Sequence, residues 1–152
     1  METHHKFTGV HLAFHLVAIV VGGFILFNLG FVFAAFVTLG TRIVLGPVLG
    51  SPLLGRLIFL LLISVLSGVI FKSKLPVVAK ATYMTLPLIT LLIIVGITLF
   101  GSPVWITIFL DGLIIGAVLF FLKRNHFTWQ FYFAVFYVTS IMLFIGLTGL
   151  DI

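Results

Sequence analysis

The sequence predicts an all-α polytopic membrane protein, a bundle of about five transmembrane helices forming one domain over residues 1–152. Three observations predict it. Hydrophobic residues make up 62% of the chain, and its 15 glycines raise the apolar share to roughly 72%, against about 45–50% for soluble domains. Charged side chains are 7% of the total, where about 25% is usual. The remaining charges bracket apolar runs of the length a bilayer crossing needs, about 20 residues. A folded sphere of this size cannot hide that much apolar surface, so a soluble globular domain is excluded. Disorder is excluded as well, since it requires low hydrophobicity and high charge.

The first helix is placed over about 9–37, inside the uncharged run between Lys6 and Arg42. It exceeds the bilayer at about 1.5 Å per residue, so it must tilt, bend near Gly22-Gly23, or protrude. The segment 38–55 holds Gly40, Gly46, Pro47, Gly50, Pro52 and Gly55. Breakers at that density argue against a continuous helix. The segment therefore reads as an apolar loop, either lying in the outer interface or docked on another polypeptide. The second helix, about 54–72, is short, and Arg56 and Lys72 extend it by snorkelling to the two surfaces. The third, about 80–100, contains Pro87, which frees the Tyr83 carbonyl and predicts a kink. Gly101, Ser102 and Pro103 end it. The fourth, about 103–123, holds Asp111. The fifth, about 127–149, follows the basic turn Lys123-Arg124-Asn125-His126.

Five helices put Lys6, Lys72, Lys74, Lys80, Lys123 and Arg124 on one side, and Arg42 and Arg56 on the other. The richer side faces the cytoplasm by the positive-inside bias. The expected location is the plasma or inner membrane, with the amino terminus cytoplasmic and the carboxyl terminus outside. No cleavable signal is evident, because the first apolar run continues well past a signal-peptide core. The chain has no cysteine, which removes disulfides, thiolate metal sites and thiol chemistry. Its basic residues are too dispersed for a nucleic-acid footprint. The expected partners are membrane lipids and other membrane protein subunits.

Among residues that could carry chemistry, His11 and His15 lie one turn apart on one helix face. With His126 at a similar depth they could ligate a metal or a haem iron, so haem or copper is a candidate cofactor. The plainer reading is five interfacial histidines, since no acid is placed to orient the rings. Asp111 is the one acid within a span. It must face the bundle interior or a partner, or be protonated. Gly112 and Gly116 beside it suit close helix approach, and Arg56 or Arg42 could pair with it. Its role is either a proton or cation relay or a lock between helices. Tyr83 is expected to bond a neighbouring helix, and Asn28 to be buried in a helix–helix hydrogen bond. Trp105 and Trp129 suit the two interfaces.

There is no phosphate loop, paired-carboxylate site, zinc-protease motif or nucleophile elbow. A His-bearing first helix with Gly22-Gly23, a second opening on Gly55-Arg56 with Gly68, and a basic turn after the fourth resemble CopD-type small membrane proteins. Those commonly carry Trp before the double glycine, where this chain has Val20-Val21. The spacing from His15 to Gly22 departs too, so neither membership nor a copper role is carried over. The leading expectation is a non-catalytic subunit of a larger membrane complex. The alternatives are a small transporter or channel using Asp111, and a haem, metal or quinone anchor using the histidines.

Overall fold

Where charges bracket an apolar run, a helix forms. The computed structural model describes residues 9–49 and 51–148. They fold into α1 (Gly9–Leu49), α2 (Pro52–Lys72), α3 (Val77–Thr98), α4 (Val104–Arg124) and α5 (Trp129–Thr148), with no strand among the described residues. The first four are long and apolar enough to cross a membrane, and α5 is apolar over the shorter stretch Trp129–Ile145.

The expected loop over 38–55 is a correction. α1 does not stop near residue 37 but runs on as helix until Gly46, whose φ of 75° and ψ of 170° break it. An isolated glycine such as Gly40 costs a helix only about 1 kcal/mol, less than packing can supply. Thr38 and Thr41 also keep the backbone satisfied, bonding back to the carbonyls of Ala34 and Thr38 at 2.9 and 2.8 Å. Gly46 differs, because its positive φ is a conformation that favours glycine. Helix continues past Gly46 to Leu49, and α2 opens at Pro52. The Ser51 hydroxyl accepts from the Leu54 N–H at 3.3 Å and Pro52 opens α2, a cap-then-proline order suited to a helix start. Residues 38–49 and 52–55 of the expected loop are therefore helical, with the break at Gly46. In its place stands a tight α1–α2 hairpin.

α3 is the central helix. It packs against all four others, and half of its most apolar stretch is buried, against none in α4. Its parallel neighbours are α1 and α5. Gly22 faces Thr82 and Gly30 faces Leu86, so α1 and α3 ascend together. His15 lies beside Trp129 and Val20 bonds Tyr137, so α5 ascends with them. The reverse order of Ser67 to Tyr83 and Phe71 to Lys80 makes α2 antiparallel. α2 covers the α1–α3 side and α4 the α3–α5 side.

Small residues set this geometry. A Cβ on Gly22 would lie 2.7 Å from Thr82 Cγ2, and one on Gly23 would lie 3.0 Å from Thr85 Oγ1 and 3.2 Å from Tyr137 Cε1. The double glycine is thus the point where α1, α3 and α5 meet. Around it lies the main core of Ile19, Ala81, Met84, Leu88, Leu92, Leu122, Val135 and Val138. A second core joins Phe59, Ile63, Tyr83 and Leu86 on the α2 side. The helices' ends collect the expected charges. Lys72, Lys74, Lys80, Lys123 and Arg124 gather at one end, and Arg42 and Arg56 at the other. Lys6 lies outside the described residues.

Candidate functional site

The arginine end holds a cavity of about 440 Å³ between α1, α2 and α3, within the range of roughly 300–1,000 Å³ for small-molecule sites. Its α1 wall is a stripe at helical spacing: Gly30, Ala34, Thr38 and Arg42, flanked by Phe27 and Phe31. Gly30 accepts Leu86 against its backbone, and Thr38 accepts Gly55. Between those two contacts and the helix ends, the α1 stripe is small while Phe59 and Ile93, Ile94 and Ile97 supply bulk from the facing helices. Pro52 and Arg56 close the α2 wall and Thr90 adds a hydroxyl on α3.

Both arginines therefore line one apolar space. Arg56 is half-buried and Arg42 exposed. Among the described residues the one carboxylate is Asp111, and its helix packs on α3 and α5 without touching α1 or α2. The expected pairing of Asp111 with Arg56 or Arg42 is accordingly not formed. Helix order is the reason, since α3 stands between them. The arrangement can hold an anion at the guanidiniums and an apolar group beneath. Among the described residues that line it there is no carboxylate and no histidine.

The other candidates are placed as follows. Asp111 is partly buried, and its Oδ1 is shielded with no hydrogen-bond partner. The Gly112 and Gly116 face beside it is open, with nothing within 4 Å of an added Cβ. Tyr83 clasps α2, its hydroxyl donating to the Ile63 carbonyl at 3.3 Å and lying 3.3 Å from Ser67 Oγ. Asn28 corrects the expectation of a buried interhelical bond. It is exposed and its Nδ2 donates to the Phe24 carbonyl at 2.8 Å, one turn back on its own helix. A short amide can be satisfied by its own backbone, so no neighbouring helix is needed. Pro87 frees the Tyr83 carbonyl, but the hydroxyls of Thr82 and Thr85 bond Val78 and Thr82 instead.

His11 and His15 stand one turn apart on α1, while His126 lies beyond the end of α4. Among the described residues no group of three or more His, Asp or Glu is placed to hold a metal. α1 and α5 are neighbours, yet His15 meets a ring rather than a ligand, with centroids 6.2 Å from Trp129 and 6.3 Å from Phe14. His15 Nδ1 is shielded and unpartnered. His126 has a different task. At φ 53° it is the left-handed residue that ends α4. Its N–H donates to the Lys123 carbonyl at 3.2 Å, and the next N–H, Phe127, reaches Leu122 at 3.1 Å. Those two bonds and the Phe121–Phe127 ring contact at 5.9 Å form a Schellman cap. His4 and His5 lie outside the described residues.

The sequence reading assigned Arg42 and Arg56 to topology and to Asp111, and missed their shared cavity. The available signal was their placement on both arms of a hairpin, which returns them to similar depth. No family model, curated protein or solved structure matches this chain. The resemblance to CopD-type proteins gains no support from those comparisons.

Proposed function

We propose that the chain is a multi-pass integral membrane protein of the plasma or inner membrane, acting as a non-catalytic packing subunit of a larger assembly. The basic bias of one end orients that end and the amino terminus toward the cytoplasm. The observation that carries the subunit role is α4. Val104, Trp105, Ile108, Phe109, Leu113, Phe120 and Phe121 are all exposed on it, and Leu122 is the one fully buried residue in the helix. Lipid would cover those side chains equally well. It would not serve the Asp111 carboxyl group, which is only partly buried and stands beside the open Gly112 and Gly116 surface. Intramembrane carboxylates call for a protein or water partner, and small residues permit a second helix to approach closely.

Purification from native membranes in mild detergent tests this. Other chains should co-purify at fixed ratio with the wild type and with Asp111→Asn, which retains a hydrogen-bonding group, and be lost with Asp111→Leu. A wild-type chain that purifies alone, or an Asp111→Leu variant that keeps its companions, would overturn the proposal.

A further inference from the structure

We infer that the cavity lined by Arg42 and Arg56 binds an anionic amphiphile, with a phosphate head between the two guanidiniums and an aliphatic tail along the apolar wall. The inference rests on a membrane location and not on the subunit role.

Three observations carry it. First, the two arginines line the same space from different helices, Arg42 from α1 and Arg56 from α2. Guanidinium groups bind phosphate through paired N–H donors with matching geometry. Second, among the described residues no carboxylate answers them. The single described carboxylate is on α4, which does not touch either arginine-bearing helix. Two like charges facing one apolar space disfavour each other until an anion enters. Third, the depth beneath them is hydrocarbon-like. Phe31, Phe59, Ile93 and Ile97 line it, with Thr38 and Thr90 the uncharged polar side chains. The Thr38 hydroxyl already donates to the Ala34 carbonyl at 2.9 Å. A small hydrated anion would gain from the arginines alone and leave this wall unused. An amphiphile uses both, and the cavity's position at one end of the bundle places its head at the level of a membrane surface. The opposite end has more cations, Lys72, Lys74, Lys80, Lys123 and Arg124. Lys80 there is already engaged, its Nζ donating to the Phe71 carbonyl at 2.9 Å. Charge alone therefore does not single out the arginine end. The cavity does.

The test titrates the full-length protein in neutral detergent with palmitoyl-oleoyl phosphatidylglycerol, the matching phosphatidylcholine, and inorganic phosphate, reading bound lipid by native mass spectrometry. Phosphatidylglycerol should bind about tenfold more tightly than phosphatidylcholine, whose choline cation cancels the charge of its phosphate and repels the two guanidiniums. Arg42→Gln with Arg56→Gln should remove that preference, whereas Lys72→Gln with Lys74→Gln should keep it. Arg42→Lys with Arg56→Lys should retain part of it, which separates charge from misfolding. Ala35→Phe keeps both arginines but fills the wall, and should weaken phosphatidylglycerol binding. Equal binding of the two lipids, or a preference that survives the double glutamine variant, would overturn the inference. So would inorganic phosphate competing as well as the lipid does, since the site would then recognise a soluble anion without a tail.

Discussion

His126 illustrates how one residue can look like chemistry and act as geometry. A left-handed backbone costs a side-chain-bearing residue about 1–2 kcal/mol, and His is among the residues that tolerate it better than most. His126→Gly should therefore leave the apparent melting temperature in detergent unchanged or raise it. His126→Val should lower stability by about 1–2 kcal/mol. A ligand role for the imidazole would instead make both substitutions equally harmful. The glycines divide in the same way. A Cβ on Gly55 would lie 3.0 Å from the Thr38 Cα and 2.9 Å from its Oγ1, so backbone must move. Gly68 has nothing within 4 Å. Gly55→Ala should destabilise the hairpin by about 1–3 kcal/mol, as overpacking does. Gly68→Ala should be neutral or stabilising by up to about 1 kcal/mol. Equal melting temperatures for the two variants would refute the close α1–α2 approach.

At the scale of the helix, polar contacts select partners that apolar surface cannot. In hydrocarbon, lipid tails satisfy a leucine as well as another helix does. Specificity then falls to groups such as the Tyr83 hydroxyl on Ile63 and Ser67, and the Tyr137 hydroxyl on the Val20 carbonyl at 3.1 Å. Tyr83→Phe should cost about 0.5–1.5 kcal/mol of stability while leaving the helical circular dichroism unchanged. A variant as stable as the wild type would place the α2–α3 register elsewhere, in Phe59, Ile63 and the apolar seam. The five helices were legible because charges and breakers bracket them, as Lys72 and Lys80 bracket the α2–α3 turn. The end of α1 was not, because glycine density alone does not distinguish Gly40, which stays helical, from Gly46, which does not. A start of α2 at about 54 counts Pro52 as a breaker, whereas after the Ser51 cap it opens the helix. The cavity was illegible for another reason. Residues near 34, 56 and 93 share a wall only after α1 and α3 pack in parallel, and no linear pattern states which helices are neighbours.

For the whole molecule, the alternation of helices makes orientation testable. The chain has no native cysteine, so Leu75→Cys, Asn125→Cys and Ser102→Cys each report a single position. In intact cells a membrane-impermeant maleimide should label position 102 and spare 75 and 125. Labelling at 75 and 125 with 102 protected would invert the orientation, and opposite results for 75 and 125 would break the up-and-down order of the helices. That order also dictates how the protein can be built. α1 and α2 are neighbours in sequence and can close their hairpin while the ribosome is still at work, and α3 can then settle beside α1. α5 emerges last, yet its Tyr137 must reach back 117 residues to the Val20 carbonyl and cover Gly23. Until it does, the groove between α1 and α3 stays open along that side. A chain interrupted after α4 would lack the Tyr137 contacts with Val20 and Gly23 that close this groove.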